Sequence, residues 1–513
     1  MSRLNFSFVL IALLGAGSFG AQAKAETLSD VMAYVYQVNP GLQAQRASLR
    51  ALDESYTQAR GGFGTNISTS TGQTHYDDRR LGVGVHANNS SAALSIIQPL
   101  YTGGRVTERV RAAEAQIKAG RETLRHFELD LVLRVVAAYV SVQRDEELLT
   151  INQDTVAALT RELSDAQARF NVHEVTITDL AQAKARLAQS RTQLLTAQAQ
   201  LGASRAQFFG VVGRYPGKLD PAPPITAIPD TFEKALDAAE ANSPLLQGAR
   251  FTEQSSRAAL AEAKAERNPT VTARYDLERT PTQPFMSVPY DDIHSLSVTL
   301  SQPLFSAGQI ASGVRQRLEE NNRDRLTIDD TRLQVIQQVA TDWEQLAALR
   351  QQLTTAQTEM TEDQVAYAGE RQEQKFALRT TIEVLNAELE LTTAQQNVIH
   401  VRTSEYIGRI QLLADTGVLS AQMFSPEAVG YDPAANYERV RNGGATPLEV
   451  PVRAFEAMLA KSNAAEPPAS ISLTRPTGSS LPPEPVDANA PIKSIYSTVE
   501  QSDAAAAAAA KKP

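Results

Sequence analysis

Apolar and polar residues alternate along four short stretches of the chain. The clearest is 296–300, where Leu, Val and Leu are separated by Ser and Thr, and 270–277 shows the same alternation. Weaker versions lie near 67–71 and 93–96. A period of two residues is typical of β-strands. The sequence therefore predicts four strands, two in each half, with one apolar face and one face rich in hydroxyl groups.

Apolar or small residues from Val110 to Leu163 recur mostly every three or four residues, close to a seven-residue repeat, which is typical of long helices packed as in a coiled coil. Residues 104–215 contain no proline. At 1.5 Å per residue, a helix over 105–170 is about 100 Å long. We expect a shorter helical region over 27–60, divided at Pro40. The pattern predicts two long hairpins, with helices over 105–170 and 178–209 and over 309–367 and 381–413.

Sequence landmarks recur at a constant spacing of 204 residues, which indicates a tandem duplication. The matched pairs are Pro40 and Pro244, Ile67 and Val271, and Gln98 and Gln302. We expect a first repeat over 26–229 and a second over 230–419, each with a helix, two strands and a long helical hairpin. A C-terminal equatorial segment over 420–441 follows them.

The phrases QPLYTGGR and QPLFSAGQ lie where a predicted strand meets a long helix in each repeat. Pro99 and Pro303 lack an amide donor and fix φ, which suits the end of a strand. Gly103 and Gly104, and Gly308 in the second copy, permit the turn into the helix. One copy would fit any strand-turn-helix boundary, but two copies at the same spacing favour strand-to-helix joints beside a membrane interface.

The first 25 residues predict an export signal. Arg3 precedes the apolar run Phe8 to Leu14, and small residues around 21–25 offer a cleavage site. The alternative, a membrane anchor, is disfavoured because a spanning helix needs about 20 apolar residues. If the chain crosses a membrane, we expect it to cross as strands.

Composition and motifs argue against several functional classes. The net charge of −9 provides no basic field for nucleic acid, and the absence of cysteine excludes disulfides and thiolate chemistry. The six histidines are scattered, and the chain contains no HExxH, P-loop or GxSxG motif. We therefore predict no enzyme activity, no cofactor and no metal site.

Four strands cannot close a barrel, and an open sheet edge in lipid leaves backbone groups unsatisfied at several kcal/mol each. Several copies must therefore share one barrel. Three copies would supply twelve strands, an even number within the usual range for outer-membrane barrels. We predict an α+β membrane protein, a trimeric twelve-stranded β-barrel with four strands per protomer, which continues into a long periplasmic α-helical barrel.

The duplicated halves, the joint phrases and the run YDPAANYERVR at 431–441 resemble the TolC family of outer-membrane channel-tunnels, in particular the members that serve type I secretion. The resemblance implies a homotrimer embedded in outer-membrane lipid. It also implies a passive exit duct for polypeptide, which docks an inner-membrane ABC transporter through a periplasmic adaptor protein.

Other functions remain open. The first alternative is the outer-membrane component of a multidrug efflux pump, with an RND-type pump as partner. A periplasmic adaptor and a structural coiled-coil protein are further alternatives. An adaptor should carry an inner-membrane or lipid anchor and a compact β domain, and a structural coiled coil has no need for strands with one apolar face.

The resemblance also implies a gate at the hairpin tips, 169–180 and 375–388. Thr178 and Asp179 match positions that hold the tip shut, and Arg379 matches the basic residue that they bind. Glu383 and Asn386 match the acidic positions around the constriction. The alternative is that Arg379 and Glu383 form an ordinary i, i+4 surface pair.

Two residues depart from the family pattern at these tips. Phe376 stands where a tyrosine hydroxyl would complete the latch, and His173 stands where a glycine is usual.

Threefold symmetry would turn Glu383 into a ring of three carboxylates, which favours cations in a narrow pore.

Beyond residue 442 the composition becomes rich in proline, alanine and small polar residues, and it includes seven consecutive alanines at 504–510. Such a segment buries too little apolar surface to fold alone. We expect a low-complexity, disordered periplasmic tail over 442–513, with a short helix over 451–461.

Overall fold

The computed structural model describes residues 25–78, 85–225, 227–281, 290–376, 378–426, 430–459 and 476–483. The predicted export signal lies outside the described residues, apart from residue 25.

The first repeat follows the predicted order of helix, strands and hairpin. Its elements are α1 (Leu28–Val38), α2 (Pro40–Arg60), β1 (Asn66–Asp78), β2 (Val85–Tyr101), α3 (Arg105–Asn171) and α4 (Ile177–Val212). Asn39 separates α1 from α2 and accepts a 3.0 Å hydrogen bond from the backbone N of Leu42, which caps α2 ahead of its first-turn proline.

The second repeat has the same order, and two short helices follow it. Its elements are α5 (Phe232–Asn242), α6 (Pro244–Ala265), β3 (Thr270–Pro281), β4 (Tyr290–Ser301), α7 (Gln309–Lys375) and α8 (Thr381–Asp415), followed by α9 (Ala435–Val440) and α10 (Glu449–Leu459). Both α3 and α7 have 67 residues, which corresponds to a length of about 100 Å. Their first residues, Arg105 and Gln309, keep the spacing of 204 found in the sequence.

The four strands form one antiparallel sheet in the order β1-β2-β3-β4. β2 and β3 join the two repeats, with Ile97 opposite Arg274. Within the described residues, β1 and β4 each have a neighbouring strand on one side only. On β4, Leu296, Val298 and Leu300 project from the chain with 76%, 65% and 68% of their surface exposed. The sheet thus has two open edges and an exposed apolar band.

The two joint phrases adopt the same backbone turn. Gly104 and Gly308 cap α3 and α7 with φ of 84° and 85°, a left-handed conformation that favours glycine. Pro99 lies at an irregularity in the pairing of β2 with β3, near the end of β2, and Pro303 lies just beyond β4. Gly103 is also left-handed and lies so close to Asn268 that a Cβ would clash.

The main cores lie about halfway along the long helices, where the short helices pack against them. In the first repeat, Met32 of α1 packs with Val135 and Tyr139 of α3. In the second, Phe232 of α5 packs with Trp343 of α7 and with Leu412 of α8. Between these cores and the tips, smaller clusters of alanine, leucine and valine pack within the hairpins and between them.

Two described segments of the predicted tail pack against the rest of the chain, and the first of them, α10, overlaps the short helix predicted over 451–461. The amphipathic helix α10 packs against β2, and Tyr101 and Phe455 meet edge to face with centroids 6.1 Å apart. Residues 476–483 lie against the second repeat, where Leu481 joins the core of Phe232 and Trp343. Contacts with the rest of the chain hold both segments in place, because segments of this composition bury too little apolar surface to fold alone.

Candidate functional site at the hairpin tips

The helices of the first hairpin are joined by residues 172–176, and those of the second by the few residues between Lys375 and Thr381, of which 377 lies outside the described residues. Thr176 caps α4 and Thr380 caps α8, each in a reciprocal capping box. The Thr176 hydroxyl donates to Oδ2 of Asp179 at 2.8 Å, and the Thr380 hydroxyl donates to Oε2 of Glu383 at 2.8 Å. Asp179 and Glu383 therefore play the same local role in the two repeats.

These caps keep both carboxylates charged. Hydrogen bonds from the backbone N and hydroxyl of Thr176 hold the pKa of Asp179 below its usual value. The corresponding bonds from Thr380 lower the pKa of Glu383 in the same way. Each tip thus presents an ionised carboxylate at the first turn of a helix, where the helix dipole also favours negative charge.

Arg379 lies between two acidic side chains of its own hairpin. Its Nε donates to Glu373 Oε2 at 2.8 Å, and its Nη1 donates to Glu383 Oε1 at 3.3 Å. These bonds raise the pKa of the Arg379 guanidinium. Within one chain this geometry matches the alternative of an i, i+4 surface pair. In the described part of the chain no ion pair joins Asp179 to Arg379, so the latch between hairpins stays a prediction.

The remaining predicted gate residues lie at the same end of the molecule. Thr178 is exposed on the first turn of α4, and Phe376 is exposed directly after α7. Asn386 lies on α8, where its Oδ1 accepts a 2.6 Å hydrogen bond from Nη2 of Arg186 on α4. This contact ties the two hairpins together close to the tips.

Sequence reasoning did not identify Arg186. It is one of many arginines on a polar helix and belongs to no motif. The constant spacing gives no hint either, because the position 204 residues later, 390, is a glutamate.

His173 adopts a left-handed backbone with φ of 65°. This conformation is the one that a glycine would adopt without strain, and it is uncommon for a residue with a Cβ. The turn in this chain therefore keeps the shape that favours glycine although its residue is histidine.

Among the described residues, no group of three or more histidine, aspartate or glutamate side chains is arranged to hold a metal ion. In the same residues, no helix is long and apolar enough to cross a membrane.

Comparison with known families supports the resemblance seen in the sequence. The family model "Outer membrane efflux protein" matches residues 35–214 and 235–418, one segment in each repeat. The chain is 27% identical to the outer membrane efflux protein BepC of Brucella suis biovar 1, over 84% of this chain and 94% of BepC. It is 24% identical to the outer membrane protein TolC of Escherichia coli K12, over 81% of this chain and 86% of TolC.

A more distant relative and a solved structure extend these matches. The alkaline protease secretion protein AprF of Pseudomonas aeruginosa is 20% identical, over 71% of this chain and 76% of AprF. The crystal structure of the outer membrane channel CmeC of Campylobacter jejuni superposes with a TM-score of 0.69 at 13% identity, over 87% of this chain and 98% of CmeC. CmeC therefore shares the fold.

The matched relatives carry the names of outer-membrane efflux and secretion proteins, and CmeC is an outer membrane channel. They lie in the outer membrane and extend a helical tunnel into the periplasm. With a family match over most of its length and the same mostly helical fold with a small antiparallel sheet, this chain belongs to the outer membrane efflux protein family of TolC-like channels.

Proposed function

We propose that this protein is the passive outer-membrane exit duct of a type I secretion system. It would export polypeptide together with an inner-membrane ABC transporter and a periplasmic adaptor. The observation that carries the proposal is the four-stranded sheet, whose two edge strands each have one neighbour among the described residues and whose apolar residues on β4 are exposed.

An open edge in lipid is costly, so β4 of one copy should pair with β1 of the next. Three copies would close a twelve-stranded barrel. The arrangement is supported by the direction of the chain, because both joints lead directly from the sheet into helices about 100 Å long. We keep the division into repeats at 26–229 and 230–419, with an equatorial segment at 420–441, as part of this proposal.

We place the gate at the hairpin tips. Glu383 is ionised and sits at the first turn of α8, so three copies around an axis would form a carboxylate ring that favours cations. Arg379 moderates this charge within each chain, and its ion pairs with Glu373 and Glu383 are exposed to solvent and therefore weak. Weak contacts of this kind suit a gate that an adaptor protein opens.

The choice of secretion over drug efflux is supported by AprF, whose name describes secretion of a protease. The terminal run near 431–441 supports it as well. In the structure this run forms α9, where Asn436 donates a 2.7 Å hydrogen bond to the buried carboxylate of Asp53. The competing proposal is an efflux component with an RND-type pump, which the name of BepC favours.

Deletion of the gene in its own host separates these proposals. A secretion duct predicts that specific polypeptides disappear from the culture medium while susceptibility to small toxic compounds is unchanged. Complementation with the full chain should restore them. Raised susceptibility together with normal secretion would reject the secretion proposal in favour of efflux.

The gate is tested separately in planar bilayers. Glu383→Gln should reduce the preference of the channel for cations, whereas Glu390→Gln, an exposed carboxylate farther along α8, should leave it unchanged. An unaltered ion preference in Glu383→Gln would place the constriction elsewhere.

A further inference from the structure

A short segment from the C-terminal region, residues 476–483, lies against α5 and α7 of the second repeat without regular secondary structure of its own. Trp343 of α7 donates a 2.7 Å hydrogen bond from its indole Nε1 to the backbone oxygen of Ser479. Arg350 donates from Nη1 to the backbone oxygen of Pro482 at 3.1 Å. Glu344 accepts two bonds of 3.0 Å from the backbone N and the hydroxyl of Ser479.

Apolar contacts accompany these hydrogen bonds. Leu481 packs against the core that contains Phe232 and Trp343. Gly478 lies so close to the ring of Phe232 that a Cβ at this position would overlap it. The face formed by α5 and α7 therefore recognises the peptide backbone, a glycine and a leucine.

The groups that make these contacts belong to the helical body. Trp343 and Arg350 are buried with the segment in place, and Arg350 is also held at Nε by a 3.4 Å bond to Glu405 of α8. Loss of the segment would remove the acceptor of the Trp343 indole N–H and part of its apolar cover, which costs free energy. Pro482 and Pro483 restrict the free segment, which lowers the entropy lost when it binds.

The first repeat shows an equivalent arrangement with a different occupant. Tyr139 lies 204 residues before Trp343, and its hydroxyl, which has one proton to donate, lies 2.9 Å from the backbone oxygen of Glu26 and 2.5 Å from that of Asp220. In the first repeat these acceptor oxygens belong to a residue just before α1 and to a residue that follows α4. In the second repeat the acceptor lies 136 residues away in sequence, in the C-terminal region.

We propose that the face formed by α5 and α7 is a peptide-binding site for a neutral, extended, proline-containing segment, and that residues 476–483 of the same chain are its ligand. The C-terminal region is then held to the helical body at two described points, by α10 beside the strand-to-helix joint and by 476–483 about halfway along α7. The proposal is independent of the transported cargo.

Trp343 is the only tryptophan of the chain, so its fluorescence reports the occupancy of this site directly. In the purified full-length protein, Gly478→Val and an internal deletion of 476–483 should shift Trp343 emission to the red and raise its quenching by acrylamide several-fold. The matched controls are Ser480→Val, at an exposed position of the segment, and a deletion of eight residues at 503–510. Both controls should retain the parent spectrum.

The peptide PTGSSLPP is the probe for a separable ligand. Added to the 476–483 deletion variant, it should reverse the red shift and the quenching saturably, and a peptide with valine in place of its glycine should not. Unchanged emission in the deletion variant would overturn the proposal, and so would a red shift that the peptide fails to reverse.

A second measurement does not depend on these variants. Because the chain contains no cysteine, Ser479→Cys with Glu344→Cys should give a disulfide within one chain under mild oxidation. Ser479→Cys with Glu359→Cys should not, because residue 359 lies about 22 Å farther along α7. Absence of the first disulfide, or its formation between two chains, would contradict docking of the segment on its own chain.

Discussion

Arg186 of α4 and Asn386 of α8 are joined by a 2.6 Å hydrogen bond from Nη2 to Oδ1, 200 residues apart in sequence. This bond connects the first hairpin to the second close to the tips. It lies about two turns of α4 from the capping box of Asp179, and Asn386 follows Glu383 by one turn of α8. The caps fix each tip internally, whereas Arg186 fixes the tips relative to each other.

Arg186→Ala should therefore loosen the tips without unfolding the protein. An exposed hydrogen bond to a charged donor contributes about 1 kcal/mol, so the closed tip should become several-fold less favoured and single-channel conductance should rise. Arg191→Ala, which removes an exposed arginine farther along α4, is the matched control and should conduct like the parent. Equal conductance in the two variants would show that the contact does not restrain the gate.

His173→Gly should stabilise the first tip. The left-handed φ of 65° costs a residue with a Cβ roughly 1 kcal/mol, and glycine removes this cost at the expense of a more flexible unfolded chain. We expect slower hydrogen exchange at residues 172–176. Val172→Gly is the control, because Val172 has an ordinary φ of −99°, and there exchange should become faster. Faster exchange in His173→Gly would contradict the strain argument.

The long helices could be predicted from sequence because each of them contains many periodically spaced apolar residues. α3 extends over 105–171 against a prediction of 105–170, and α8 extends over 381–415 against 381–413. α7 continues to Lys375, beyond the predicted 367, because its last turns are polar and carry little periodic signal. The repeat spacing of 204, which relates Gln98 to Gln302, located both strand-to-helix joints.

Contacts made by single side chains between distant segments could not be predicted. The bonds of Arg186 to Asn386 and of Trp343 to Ser479 depend on how helices and tail are placed in space, and no local pattern marks either residue. The position of residues 476–483 could not be predicted for the same reason. This segment has few apolar residues, and it docks through Leu481 and a few hydrogen bonds.

Glu456→Ala should destabilise the joint of the first repeat. The buried Glu456 carboxylate accepts bonds from the backbone N and hydroxyl of Thr102, both at 2.5 Å, and from the Thr107 hydroxyl at 2.7 Å. Truncation leaves these donors without an acceptor, which costs about 2 to 3 kcal/mol. Thermal unfolding followed by circular dichroism should show a lower Tm.

Met458→Ala is the control for this experiment, because Met458 lies on α10 and is 85% exposed. Its Tm should match that of the parent. A Tm in Glu456→Ala equal to that of Met458→Ala would mean that α10 does not support the joint.

Asp342 of α7 shares a hydrogen bond with Asp415 of α8, and burial together with this acidic neighbour raises the pKa of Asp342 to about 8. Gln338 donates to Oδ1 of Asp342 at 3.1 Å, and Gln411 donates to Oδ2 of Asp415 at 2.7 Å. The folded state therefore keeps a proton that the unfolded chain releases near pH 4, so stability falls as the pH rises from about 4 to about 8.

We expect a lower Tm at pH 9 than at pH 6. Asp342→Asn should flatten this dependence and exceed the parent in Tm at pH 9, whereas Glu359→Gln, at an exposed position of α7, should keep the parent slope. A slope retained in Asp342→Asn would assign the pH dependence to other groups.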